Sequence, residues 1–156
     1  MSGRLVGLFL VLSGLAAGIA VYVLQLYVFY EEVDARDVSI QLTRAATQTP
    51  EPIPADDLRV IDATSSPLRF RACFRTELGE ALEGETFQRH PDPVPLNGPG
   101  WFDCYDAAAI GAALENRTAI AYLSEKEIAE GVDRVVAIFA DGRGYAWHQL
   151  NETFAD

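Results

Sequence analysis

The hydrophobic positions of the chain form one long run at the N-terminus and several short runs after it. Residues 5–30 contain no charged side chain. As an α-helix rising about 1.5 Å per residue, this segment would be about 39 Å long, whereas the hydrocarbon core of a bilayer is about 30 Å thick. Tyrosine and phenylalanine are concentrated toward its C-terminal end, and such rings favour the headgroup region. The pattern predicts a transmembrane helix at residues 5–30.

A cleaved signal peptide is the alternative interpretation, because residues 18–20 (Gly-Ile-Ala) resemble a cleavage site. Cleavage there would leave an apolar new N-terminus, and the run is longer than the roughly 7–15 residues of a signal-peptide core. An uncleaved signal anchor is therefore favoured. Arg4 precedes the run and Glu31 follows it. The positive-inside rule then predicts a single-pass protein of a bacterial inner membrane, with residues 1–4 cytoplasmic and 31–156 periplasmic.

Residues 31–57 are predicted to leave the membrane, form a short strand and end in a linker. Hydrophobic and polar residues alternate at positions 38–43, as in a strand with one buried face. Pro50, Pro52 and Pro54 follow. Each proline ring fixes φ and disfavours helix in the preceding residue, which predicts a stiff, extended linker.

Residues 58–156 are predicted to form one small α+β domain. The clearest alternation is at residues 68–76, where Leu68, Phe70, Ala72 and Phe74 share one face and Arg69, Arg71, Cys73 and Arg75 share the other. Further predicted elements are a strand at 58–61, a helix at 107–115 with Asp103 as N-cap, a strand at 118–123, a helical turn at 124–127 with a capping-box spacing, and a hairpin of 132–140 and 145–150 around Asp141-Gly142. This order favours a mainly antiparallel sheet with one main helix.

The charge distribution excludes two classes of partner. After residue 30 there are 11 basic and 23 acidic side chains, a formal charge of −12. Nucleic-acid binding requires lysine and arginine to neutralise phosphates, and a polybasic patch is what draws a domain onto anionic lipid. We therefore expect no nucleic-acid partner, and we expect the chain to contact the membrane through its apolar helix.

The two cysteines, Cys73 and Cys104, both follow the apolar run, in a compartment where disulfides persist. The spacing and the even number favour a disulfide, although two buried free thiols are the alternative. There is no Cys-x-x-Cys motif. Together with His90 and His148, the cysteines match no metal-ligand spacing, so we expect neither a metal site nor a cofactor.

Candidate binding residues are few. Arg69, Arg71 and Arg75 could hold a carboxylate or a phosphate, or they could pair with the domain's own acids on a solvated sheet face. Trp101 and Phe102 lie in a Gly/Pro-rich loop, and His148 lies in a predicted strand. Gly14 and Gly18 have the small-xxx-small spacing of packed membrane helices, although glycine is also common in such helices. No strong catalytic signature occurs, so an enzyme is not predicted.

Four strings carry a resemblance to a known family: SSPLRFRACF, GPGWFDC, DRVVAIFADGRG and YAWHQLN, in this order along the chain. With the N-terminal span and the acidic domain, the chain resembles the alphaproteobacterial domain-of-unknown-function family 6446. Members sometimes carry the label "histidine kinase", which the absence of glycine-rich ATP motifs here does not support. The resemblance implies the membrane topology and adds no activity.

These observations lead to two hypotheses of function. The first is an accessory or assembly component that meets another membrane protein, or a second copy of itself, through the Gly14/Gly18 face and its exported domain. The second is a periplasmic enzyme or a binder of small anionic ligands that uses Arg69, Arg71 and Arg75, which we call the arginine row.

Overall fold

The structure is a computed structural model that describes residues 2–79 and 86–154. It begins with α1 (Gly3–Val23), which continues into a π-helical turn at Leu24–Val28. None of the side chains of α1 is buried. The combined helix is long and apolar enough to cross a membrane, a property that an N-terminal signal sequence shares.

Short strands and a second helix follow. Their bounds are β1 (Glu31–Val33), β2 (Gln41–Thr43), β3 (Pro50–Pro52), β4 (Asp56–Asp62), β5 (Arg71–Arg75), α2 (Ala107–Glu115), β6 (Ala119–Ala129), β7 (Val132–Phe139) and β8 (Arg143–Leu150). In the described part of the chain, six strands form one antiparallel sheet in the order β1-β4-β5-β8-β7-β6, and β2 pairs with β3 as a separate hairpin.

The turn between β7 and β8 is the hairpin predicted around Asp141 and Gly142. Gly142 has a φ of 84°, a value that glycine adopts without steric cost. A Cβ at this position would lie 2.5 Å from the carbonyl oxygen of Thr76. Only glycine therefore satisfies both the turn and the close approach of the neighbouring backbone.

The main sheet is covered on both faces, because successive side chains of a strand point to opposite sides. One face packs against the β2–β3 hairpin, which buries Ile40, Leu42 and Ile53. The other face is covered by α2 and the segment before it, which bury Phe102, Tyr105 and Ile110. The resulting hairpin, sheet and helix layers confirm the predicted α+β fold with a mainly antiparallel sheet.

The segment predicted as a proline-rich linker is part of the folded domain. Pro50 and Pro52 stand opposite Thr43 and Gln41 in the β2–β3 hairpin, and Ile53 is only 8% exposed. Proline is compatible with an extended strand that lies at an edge. The apolar residue between the prolines supplies the core contact that a linker would lack.

The N-cap of α2 is Asp106, whereas the sequence predicted Asp103. The Asp106 carboxylate accepts a hydrogen bond from the backbone N–H of Ala109 at 3.0 Å. Asp103 instead points to the surface, where Arg59 donates to it at 2.9 Å. Both aspartates suit a helix start, and the pairing of Asp103 with Arg59 leaves Asp106 to cap the helix.

The helical turn predicted at residues 124–127 is absent from the described structure, because β6 runs through this segment with register shifts near Glu125. Ser124 is completely buried. At the irregularity, Glu127 has a φ of 52°, and its freed N–H donates to the Asp133 carboxylate at 3.0 Å. Pairing with β7 therefore overrides the local capping-box signal.

Candidate functional site

The end of the apolar helix is attached directly to the domain. Trp101 Nε1 donates to the carbonyl oxygen of Leu26 at 2.6 Å. Arg69 donates to the carbonyl oxygen of Gln25 at 3.3 Å and also to its side-chain oxygen. The last carbonyls of a helix lack partners within the helix, and these two side chains supply hydrogen-bond donors to them. We call this contact the helix–domain junction.

Aromatic rings surround the junction. The rings of Tyr30 and Trp101 meet edge to face, with centroids 6.4 Å apart. The Arg69 guanidinium lies 5.2 Å from the ring centre of Tyr30 and 5.9 Å from that of Phe29, within the range of a cation–π contact. Of the predicted binding residues, Arg69 and Trp101 are thus brought together.

Arg71 does not share a surface with Arg69, because it is only 2% exposed. Its guanidinium donates to four backbone carbonyl oxygens at 2.6–2.9 Å, those of Leu68, Phe70, Leu96 and Asn97. Burial lowers the pKa of this guanidinium. These acceptors occupy the N–H donors that a ligand anion would need, so Arg71 holds the loop at residues 90–100 on the sheet.

Arg75 and Phe102 also separate from the predicted group. Arg75 is exposed at the end of β5, and Phe102 is 1% exposed in the core, with Arg59 over its ring at 5.2 Å. The predicted arginine row is therefore divided among a junction, a buried anchor and open surface. Alternation correctly placed Arg71 and Arg75 on one face of β5. The predicted strand at 68–76 was too long, because Pro67–Arg69 forms a 3-10 turn that takes Arg69 off the strand. The pattern also could not show that a loop covers part of that face.

The predicted disulfide is confirmed between Cys73 and Cys104, whose Cα atoms are 6.2 Å apart. It joins β5 to the segment that carries Trp101 and leads into α2. Bonded sulfurs are not thiolate ligands. Among the described residues, no group of three or more His, Cys, Asp or Glu side chains is arranged to hold a metal ion.

His148 is a structural residue of the core. Its ring stacks on Phe70, with centroids 4.5 Å apart and planes 10° apart. Nδ1 lies 2.6 Å from the carbonyl oxygen of Pro67, and Nε2 lies 2.9 Å from the donating Nε of Arg134. Since Nε2 accepts, the ring is neutral and Nδ1–H donates. Burial, assisted by the nearby cations Arg134 and Arg71, lowers the pKa of His148 to about 3.

This environment makes stability depend on pH. The pKa of His148 is about 3 in the folded chain and about 6.5 in an unfolded one. Between these values the unfolded chain binds more protons, so the free energy of unfolding falls on acidification by up to about 1.4 kcal/mol per pH unit. We expect His148→Gln, which can keep both hydrogen bonds, to reduce this slope in urea titrations from pH 7 to pH 4. Equal pH dependence of the free energy of unfolding in the unmodified chain and in His148→Gln would contradict the lowered pKa of His148.

The structure reveals a groove with charged residues in its lining that the sequence did not predict. It lies between residues 88–94 and residues 149–153, at one end of β6, and has a volume of about 460 Å³. His90 and the largely buried Asp133 line it together. These two residues lie far apart in the sequence, and no spacing motif connects them. Only the sheet pairing brings them to one place.

Gly14 and Gly18 lie on an open face of α1. Apart from the neighbouring residues and backbone of the helix itself, no atom of the described residues lies within 4 Å of a Cβ built at either position. The face is therefore free to pack closely against another helix, as the small-xxx-small spacing requires.

Comparison with known proteins gives a family and no activity. The model of a family of unknown function, DUF6446, matches residues 40–156. No curated protein and no solved structure matches the chain. The match covers the domain from just before β2 onward. The chain therefore belongs to the family of unknown function DUF6446.

Proposed function

We propose that this protein is a single-pass accessory or assembly component of a complex in the inner membrane of an alphaproteobacterium. Residues 1–4 are cytoplasmic, and residues 31–156 are periplasmic. Its partner is another membrane protein or a second copy of the chain. The partner is engaged by the Gly14/Gly18 face of the helix and by the exported domain.

The helix–domain junction is the observation that carries this proposal. β1 begins at Glu31, three residues after the helix ends at Val28, and it pairs with β4 in the main sheet. Arg69 and Trp101 hold the helix end to the domain. The domain therefore has a set height and orientation over the membrane. Such an arrangement lets a membrane partner contact the helix and the domain at the same time.

The rival function, capture of a small anion by the arginine row, has less support. Arg71 is committed to four carbonyl oxygens, and Arg69 is engaged at the junction. An anion would have to displace these contacts.

A pull-down from native membranes tests the proposal. The full chain with a C-terminal tag, extracted in mild detergent, should bring down a membrane subunit in stoichiometric amount. Gly14→Leu with Gly18→Leu should reduce the yield of that subunit several-fold, because leucine at these positions keeps helix backbones apart. The same tag reports topology, since protease added to spheroplasts digests a periplasmic C-terminus and spares a cytoplasmic one.

The matched control is Ala16→Leu with Ala20→Leu, which adds similar bulk on the opposite side of the helix. This control should retain the subunit. A chain that purifies without another subunit and as a monomer, or one that loses its partner equally in both double variants, would overturn the proposed use of the Gly14/Gly18 face.

A further inference from the structure

The groove beside His90 is held open by a fixed wall. The side chain of Gln149 accepts from the backbone N–H of Val94 at 2.8 Å and from Trp147 Nε1 at 3.0 Å, and its amide donates to the carbonyl oxygen of Asp92 at 3.0 Å. These bonds attach residues 92–94 to β8. The groove, about 460 Å³ in volume, lies within the size range of small-ligand sites.

Asp133 is a buried carboxylate in the wall of this groove. It is 6% exposed, and its Oδ1 accepts from the backbone N–H of Glu127 and from Asn151 Nδ2, each at 3.0 Å. The ion pairs found among the described residues do not include Asp133. A carboxylate this deeply buried is ordinarily paired with a cation.

Two more polar atoms in the same wall lack a hydrogen-bond partner among the described residues. Gln88 Oε1 and His90 Nδ1 are shielded from solvent, and neither has a hydrogen-bond partner in the described part of the chain. Both side chains line the groove. Buried polar atoms are normally satisfied. The amide oxygen Gln88 Oε1 therefore lacks a donor, and His90 Nδ1 lacks a partner that would donate or accept according to the tautomer of the ring.

The charge of the groove also favours a ligand that donates hydrogen bonds. Its lining includes four carboxylates, Asp92, Glu127, Asp133 and Glu152, against two cations, Arg89 and Lys126. Burial lowers the pKa of His90, against the opposing effect of Asp133, Asp92 and Glu152. A cationic ligand with several N–H donors would complement this lining.

We propose that the groove binds a guanidinium group, with the Asp133 carboxylate as its main partner. A guanidinium is planar, is always charged and carries five N–H donors in a fixed fork. It can therefore pair with a carboxylate and reach a neighbouring amide oxygen such as Gln88 Oε1. The group belongs to a small molecule or to an arginine side chain of an extended polypeptide. This site does not depend on the proposed membrane partner.

Calorimetric titration of the full chain in detergent micelles tests this inference. The probes are agmatine, a small guanidinium compound, and the blocked tripeptide Gly-Arg-Gly, with the same tripeptide carrying citrulline as the uncharged match. Binding of agmatine and the arginine peptide, without the citrulline peptide, supports the inference for either source. Binding of the arginine peptide alone assigns the group to a polypeptide. Failure of both guanidinium probes at millimolar concentration overturns it.

Variants locate the binding. Asp133→Asn keeps an oxygen for the N–H of Glu127 and should weaken guanidinium binding at least tenfold. Asp92→Asn, at the exposed rim, should weaken it by a smaller factor. Glu130→Gln, an exposed residue outside the groove, is the matched control and should bind as the unmodified chain does. Unchanged affinity in Asp133→Asn would overturn the site.

Discussion

Replacement of Arg71 by methionine is expected to lower the free energy of unfolding by about 3–5 kcal/mol, since it removes charge-assisted bonds to several carbonyls and leaves those carbonyls without a donor. The Arg71 guanidinium is buried and donates to four carbonyl oxygens, two of them in the loop at residues 90–100. Methionine roughly preserves the volume of the side chain but donates nothing. The loop over the sheet should therefore loosen.

The measurement is urea unfolding of the full chain in mild detergent, followed by the fluorescence of its two tryptophans. Arg75→Met is the matched control, because Arg75 lies on the same strand but is exposed; such a surface change alters stability by only about 0.5 kcal/mol or less. Arg71→Lys should fall between the two, since lysine has fewer donors and no planar fork. Equal losses in Arg71→Met and Arg75→Met would refute the anchoring role.

Removal of the disulfide by Cys73→Ala with Cys104→Ala is expected to lower the free energy of unfolding by about 3–4 kcal/mol, the loop-closure term for a ring of this size. The bond links residues 31 positions apart, and without it the unfolded chain gains conformational freedom. Cys73 is 7% exposed in the core, where alanine leaves only a small space.

The single variants provide the internal control for the disulfide. Either substitution breaks the bond, so Cys73→Ala and Cys104→Ala should each lose about as much stability as the double variant, and reductant should destabilise only the unmodified chain. Losses that add between the two single variants would show that the cysteines contribute separately, by packing and not by their bond.

Both variants also act on the helix–domain junction. Arg71 binds the carbonyls of Leu96 and Asn97, and the disulfide holds Cys104. Trp101, which reaches the helix end, lies between these two attachments. The same contacts that stabilise the domain therefore set its position over the end of the apolar helix.

The elements that were correctly predicted carry signals within a few residues. The uncharged run at 5–30 indicates, by its length, an apolar helix long enough to cross a membrane. Asp141-Gly142 specifies a hairpin because glycine adopts the required positive φ. The alanine-rich stretch that forms α2 needs no distant partner to favour a helix. In each case the local preference and the tertiary packing agree.

The elements that were wrongly predicted are those where a group on another strand competes with the local signal. The spacing at residues 124–127 favours a helical turn, but Asp133 on the next strand takes the N–H of Glu127. Asp103 suits a helix start, but Arg59 on β4 draws its carboxylate to the surface. Each competitor reaches its position only when the strands have packed, so the local spacing does not reveal it.

The sequence by itself determined the apolar helix and the α+β class, since these follow from length and periodicity. It favoured a disulfide between the two cysteines, and the tertiary structure decided that they are bonded. Only the tertiary structure decided that Arg71 is buried while Arg75 is exposed, that the helix end joins Arg69 and Trp101, and that Asp133 meets His90 in a groove. Periodicity assigns a side chain to a face of a strand. Whether that face is covered, and by which loop, depends on contacts between segments far apart in the chain.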